Sequence, residues 1–162
     1  LCTKRTFDNF VLEIDFKVDE GFNSGIQIRT TLHTKEGDTD YLNGRNVLTR
    51  WHYEPGDVVG YQIEIDPSGR QWTGGLYECG SRGWLQTLEY NEPARNAYKP
   101  GEWNRFRIEA VNDSIKSWIN GVPAVDTRDA WRRDGRIGLQ LHSAKEPGLQ
   151  IRFRNIRIKE IE

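Results

Sequence analysis

The chain has 162 residues, with 23 Lys and Arg against 24 Asp and Glu and a net charge of -1. That balance leaves no global basic field for nucleic acid and no acidic tail. With 36% hydrophobic and 11% aromatic residues the chain is too apolar for disorder, no apolar run nears the roughly 20 residues of a membrane span, and the length fits one domain over 1–162.

The hydrophobic period is 2 nearly everywhere and 3.6 almost nowhere. Phe10, Leu12, Ile14, Phe16 and Val18 alternate with Val11, Glu13, Asp15 and Lys17, which predicts a strand with one wet face. Asn23-Ser24-Gly25 then turns the chain into a second strand, where Ile26 and Ile28 alternate with Gln27 and Arg29. Residues 31–58 have no clean period. Tyr61, Ile63 and Ile65 alternate with Gln62, Glu64 and Asp66, so the first three are expected in the core and the second three exposed. Residues 78–100 are again aperiodic, and both irregular stretches exceed the usual connection length, which favours functional loops. Phe106, Ile108 and Ala110 mark a further strand. Asn120-Gly121 between Ser117-Trp118-Ile119 and Val122-Pro123-Ala124-Val125 is the sharpest hairpin signal in the chain. Ile137, Leu139 and Leu141 alternate with Gln140 and His142, which predicts core positions for the three apolar residues. In the last strand the apolar parity flips once between Phe153 and Ile156, and a bulge near Arg154-Asn155 accounts for it. Many short antiparallel strands with half-polar faces make an all-β sandwich or jelly roll.

The outward residues fall into two chemistries. Glu13, Asp15, Lys17, Arg105, Arg107, Glu109, Arg152, Arg154, Arg157 and Lys159 are long mixed charges, the dress of a solvated sheet. Gln27, Arg29, Gln62, Glu64, Asp66, Lys116, Trp118, Gln140 and His142 instead combine amides, acids, a histidine and an aromatic. Sugars offer fans of hydroxyls to amides and charged groups, and apolar faces to aromatic rings, so this set predicts a carbohydrate ligand. From it Arg29, Gln62, Glu64, Gln140 and His142, with Asn23, Ser24 and Tyr77, are expected to gather at one concavity, rimmed by Trp51, Trp84 or Trp118, while Asp66 and Lys116 are further candidate site residues. His142 shares parity with Gln140 and lies on the wet face, where it can titrate near neutrality; His33 and His52 lie in the aperiodic stretch. No HExxH, facial-triad, EF-hand, GxSxG, P-loop or dinucleotide signature is present. Cys2 and Cys79 lack metal-ligand spacing and leave two readings open, one long-loop disulfide or two separate small residues.

Several stretches taken together resemble a known family. They are Thr3-Lys4-Arg5-Thr6-Phe7-Asp8-Asn9-Phe10, Asn23-Ser24-Gly25-Ile26 with Arg29, and Gly60-Tyr61-Gln62-Ile63-Glu64-Ile65-Asp66. Further along come Thr73-Gly74-Gly75-Leu76-Tyr77, Gly101-Glu102-Trp103-Asn104, Asn120-Gly121, Gly135-Arg136-Ile137-Gly138-Leu139-Gln140-Leu141-His142 and Phe153-Arg154-Asn155-Ile156. Their order over nearly the whole chain is similar to the 3-keto-disaccharide hydrolase domain family. The resemblance implies a concanavalin/laminin-G-like jelly roll in secreted or periplasmic proteins. It also implies a further strand or so before the position of Leu1, so that one sheet edge is expected to lack its N-terminal strand. No signal peptide is visible in the chain itself.

The implied activity is cleavage of a glycoside whose sugar carries a 3-ketone. A carbonyl at C3 acidifies the C2 proton, so a modest base can remove it and the C1 substituent can leave. Such a route needs a base poised near neutral pH, an electrophile for the enolate oxygen and a proton donor. Glu64 and His142, with Asp66 beside them, are the candidate base and acid; Arg29, Lys116 or a bound divalent cation are candidate electrophiles. Two rivals stay open. Glu64-Ile65-Asp66 begins like the acidic signature of two-carboxylate glycosidases on this fold, but Ser68 and Gly69 stand where its third acid belongs. A non-catalytic carbohydrate-binding or laminin-G-like module would use the same amides and aromatics.

Overall fold

The computed structural model describes residues 1–42, 47–143 and 146–161. In chain order these form β1 (Phe10–Val18), β2 (Ser24–Leu32), β3 (Gly37–Leu42), β4 (Leu48–Tyr53), β5 (Val58–Ile65), β6 (Leu76–Cys79) and β7 (Gly83–Gln86). After α1 (Glu92–Ala97) come β8 (Asn104–Val111), β9 (Ser114–Ile119), β10 (Val122–Arg128), β11 (Arg136–Leu139) and β12 (Ile151–Glu160). Two five-stranded antiparallel sheets, ordered β10-β9-β8-β1-β12 and β11-β2-β5-β6-β7, pack face to face as a β-sandwich; β3 and β4 form a separate hairpin. The segment before β1 bridges to β11 at Cys2–Gly138 and Phe7–Gly135.

The alternation places the core. Phe10, Leu12, Ile14 and Phe16 of β1 and Phe106 and Ile108 of β8 face Ile26, Ile28, Tyr61, Ile63, Ile65 and Leu76 across the interlayer, all fully buried. Ser117 on β9 shares that inward parity and donates from Oγ to the Gly74 carbonyl at 2.6 Å, a hydrogen bond joining the two layers. The Asn120-Gly121 hairpin joins β9 to β10 through two residues of positive φ, as the twist of the flanking strands favours. The bulge in β12 lies where Ile14 falls between the pairs Glu13–Arg157 and Asp15–Arg154, with Asn155 at φ 52°.

Three expectations are corrected. Leu141 is 76% exposed, because β11 ends at Leu139 and the alternation has no strand to act on beyond it. Gln62, Glu64 and Asp66 are buried rather than exposed, although β5 keeps the expected register. Their own polar neighbours cover them. Arg29 leaves the wet face altogether. The register of β2 on β5 shifts between Ile28 and Thr31, Arg29 adopts φ 50°, and its side chain turns into the interior. There the guanidinium donates to the carbonyls of Asp8 at 2.9 Å, Asn112 at 2.6 Å and Arg132 at 3.2 Å. The aperiodic stretches also hold structure: 31–58 contains the β3–β4 hairpin, and 78–100 contains β7 and the short α1.

Replacing Arg29 with Met would leave three carbonyls without their buried donor. The expected loss is about 3 kcal/mol of unfolding free energy, read from the denaturant midpoint. A variant as stable as wild type would show that water replaces the guanidinium there.

Candidate active site

The outer face of the sheet β11-β2-β5-β6-β7 carries a cavity of about 290 Å³ lined by Asn23, Gln62, Glu64, Arg70, Tyr77, Cys79, Trp84, Gln140 and His142. A larger depression of about 490 Å³ lies on the opposite sheet around Glu13, Arg107 and Glu109. There Arg107 already pairs with both acids, as an ordinary solvated face does. The smaller cavity instead brings together an acid, amides, a histidine and aromatic rings.

Glu64 forms its floor. Its side chain points outward from β5, yet the residue is only 6% exposed. Asn23 Nδ2 donates to Oε1 and Gln62 Nε2 to Oε2, each at 2.7 Å. Burial pushes the Glu64 carboxyl above the usual carboxylate range and Asp66 adds to the rise, while the two amide hydrogen bonds and Arg70 oppose it. Gln62 also donates to Gln140 Oε1 at 3.1 Å and accepts from Cys79 Sγ at 3.1 Å. Room for this comes from Gly25: a Cβ there would lie 2.5 Å from Gln62 Cδ and Nε2. Burial also pushes the Cys79 thiol up, to about 11. Tyr77 and Trp84 pack edge to face at 5.4 Å, and Trp84 meets Trp72 the same way at 5.0 Å, giving an aromatic wall.

The sequence-derived set divides here. Asn23, Gln62, Glu64, Tyr77, Gln140 and His142 line the cavity together, with Trp84 beside them. His142 is exposed, its Nδ1 at 3.0 Å from the Ser143 carbonyl. Ser24 instead has the inward parity of Ile26 and donates to the Gln140 carbonyl at 2.8 Å, holding β2 to the segment that presents Gln140. Asp66 sits in the turn after β5, accepting from Ser68 N and from Arg70 Nε at 3.1 Å; it aims Arg70 rather than lining the cavity. Lys116 and Trp118 belong to the other sheet's outer face, where Lys116 pairs with Asp126 and Trp118 lies under Arg107. Parity tells inside from outside, not one sheet from the other. Trp51 packs against Gly80 beside His33 and Tyr53. Cys2 and Cys79 are free thiols. Sequence reasoning missed Arg70 and Cys79 as lining residues; neither sits in an alternating run that would have flagged its face. Among the described residues, Glu36, His52 and Glu54 are the group whose ligand atoms come within 4.8 Å of one another; all three are exposed and away from this cavity.

A buried acid beside amides and an aromatic wall is the equipment of a carbohydrate site. Residues 1–159 match the 3-keto-alpha-glucoside-1,2-lyase-like domain. The chain belongs to this family. Its fold matches two candidate glycosyl hydrolases from Parabacteroides distasonis. One is 23% identical at a TM-score of 0.55, covering 99% of this chain and 82% of that one. The other is 16% identical at a TM-score of 0.63, covering 99% and 76%. The carbohydrate-binding module CBM66 from Bacillus subtilis shares the sandwich at 14% identity and a TM-score of 0.51, covering 97% and 78%. No curated protein matches the sequence. The family thus places the chain among carbohydrate-active, glycosyl-hydrolase-like proteins, and the structural likenesses establish the jelly-roll sandwich.

Two expectations follow from the packing around Glu64. A carboxyl whose folded value is raised binds its proton more tightly in the native state, so its stability contribution is full at low pH and is lost as pH rises through the folded value. Glu64→Gln is therefore expected to unfold at higher denaturant than wild type at pH 7, with the difference vanishing below about pH 4, where both side chains are neutral. Denaturant titrations at the two pH values test this; a variant less stable at pH 7 would contradict the assigned direction. Gly25→Ala should drive Gln62 off Glu64 and weaken sugar binding about tenfold or more, measured by calorimetry, since a displaced amide forfeits its hydrogen bonds.

Proposed function

We propose that this protein cleaves 3-keto-glycosides, 3-keto-disaccharides among them, by removing the C2 proton beside the ketone. The observation that carries the reading is Glu64: a buried carboxylate at the cavity floor, contacted by two amides and, among the described residues, by no cation, with its pKa pushed upward. An acid so placed is a stronger base than one in water and is neutralised less readily by an ion pair. In the proposed step Glu64 takes the C2 proton and the electron pair passes into the enolate. The enolate collapses to a C1–C2 double bond as the C1–O bond breaks. The leaving oxygen then receives a proton from His142, exposed on the cavity wall. Among the described residues, Arg70, held at the wall by Asp66, is the cation available to the enolate oxygen, in place of Arg29 and Lys116. Tyr77 and Trp84 supply the face on which a pyranose ring rests. Addition of water across the double bond would complete a net hydrolysis.

The test is an asymmetry between substrates. Only the ketone makes the C2 proton acidic, so the unoxidised glycoside should be cleaved at least ~10⁴-fold more slowly. Glu64→Gln should bind sugar yet lose about 10²–10⁴ in turnover, and the comparison with His142→Ala separates base from acid. Deuterium at C2 should slow the reaction. Equal rates on both glycosides with no isotope effect would mean direct acid-assisted cleavage by two carboxylates. Binding with no turnover on either would make the cavity that of a carbohydrate-binding module.

A further inference from the structure

The amide of Gln62 has two possible orientations, and only one serves Glu64. As observed, Nε2 donates to Glu64 Oε2 at 2.7 Å and to Gln140 Oε1 at 3.1 Å, while Oε1 faces Cys79 Sγ at 3.1 Å. Turned over, the amide would set its oxygen against the carboxylate and against another amide oxygen. The carboxylate and the Gln140 oxygen draw N–H toward them, and the thiol of Cys79, a donor opposite Oε1, holds the amide in that orientation from its other side. On the far side of the sulfur, Gln27 Nε2 approaches to 3.8 Å, so the chain of donation runs Gln27, Cys79, Gln62, Glu64 in one direction. Burial, with Glu64 and Glu78 nearby, holds the thiol pKa near 11, so the donated proton stays in place at neutral pH.

We propose that Cys79 is a positioning residue for Glu64, acting through Gln62: its S–H fixes the amide so that the carboxylate receives an N–H. The role in turnover rests on the reaction proposed above; the role in holding the carboxylate does not. Among the described residues, Asp66, Arg70, Tyr77, Cys79 and His142 are the titratable and charged groups around Glu64, and Cys79 reaches it through the neutral amide of Gln62.

The experiment follows the Glu64 side-chain carboxyl carbon by NMR through a pH titration of the full chain, with Glu64→Gln assigning the signal. Cys79→Ala should raise the Glu64 midpoint by about one pH unit, because a freed amide no longer favours the charged form. Cys79→Val, which fills the space without a donor, should do the same and serves if the Ala variant fails to fold. Cys79→Ser keeps a donor and should hold the wild-type midpoint. Gln62→Leu should raise it at least as far, and adding Cys79→Ala to Gln62→Leu should change nothing more. An unmoved midpoint in both Ala and Val variants, or shifts that add in the double variant, would overturn the proposal. Failure of the reaction reads separately: wild type would then turn over no 3-keto-glycoside while the titration still decides on Cys79. Where turnover is present, the lower limb of the pH–rate profile should move with the titrated midpoint and return with Cys79→Ser.

Discussion

The bulge at Arg29 is the constraint on which the arrangement depends. A strand that kept alternating would put this guanidinium on the outer face of β2, beside Gln27. The left-handed residue at position 29 instead sends it inward, where among the described residues it forms no ion pair and donates to carbonyls from the segment before β1, the β8–β9 turn and the stretch after β10. Desolvation lowers its pKa, yet an arginine keeps its charge, so those carbonyls are held tightly to it. The neighbouring strands accommodate the bulge with glycine: a Cβ at Gly135 would lie 2.4 Å from the Arg29 carbonyl carbon, and one at Gly60 would lie 2.8 Å from its oxygen. Fixing the bulge fixes the register of β2 on β5 below it, which sets Gly25 opposite Glu64 and Gln27 opposite Gln62. The site is thus a consequence of a staple at the other end of the same strand.

The two outer faces then solve the problem of charge differently. On the β10-β9-β8-β1-β12 sheet each acid finds a base: Asp15 meets Arg105 at 2.6 Å and Arg154 at 3.6 Å, Glu13 meets Arg107, and Asp126 meets Lys116. Asp15 is accordingly held below the usual carboxylate range, chiefly by the Arg105 hydrogen bond. On the other sheet Glu64 meets amides, and Arg70 is turned onto Asp66 and lies over Trp72 at 5.0 Å. Amides satisfy hydrogen bonds without neutralising charge, so desolvation wins and the pKa shift has the opposite sign. The difference in chemistry between the faces lies in what the acids touch, not in how many acids there are.

Much of this was legible in the sequence, and the failures have physical reasons. Alternation found the core of β1, β5 and β8, and the parity flip in β12 marked its bulge. It failed at Arg29, because an arginine in a left-handed bulge carries none of the Gly or Asn signal such positions usually show. It grouped Lys116 and Trp118 with Gln62 and Glu64, because parity is the same for strands of either sheet. The β3–β4 hairpin has no legible period because it stands outside the sandwich, with β4 exposed or half-buried along its length. Arg70 and Cys79 reach the cavity from a turn and a strand end, where position depends on tertiary contacts and not on period.

On the proposed reading, Glu64 is the residue that would separate catalysis from mere sugar binding on this architecture. A face that only binds hydroxyls is served by neutral amides, and Gln at position 64 would make the same contacts to a polyol without a buried charge. A glutamine has one acceptor oxygen, so Asn23 would have to turn its amide over and accept from the new N–H while Gln62 kept its acceptor, and the fold would be relieved of a desolvated carboxylate. Retaining an acid there is unfavourable for stability at neutral pH and useful only if the proton-accepting form does something an amide cannot. Accepting a proton from carbon is such a task, and it needs the basicity that burial confers and an ion pair would remove. The same reasoning fits the tie of Arg70, the cavity's cation among the described residues, to Asp66. Placed directly on Glu64, Arg70 would stabilise the carboxylate and lower its basicity; held at the wall, it leaves the carboxylate basic and, in the proposed reaction, would meet the negative charge that develops on the substrate.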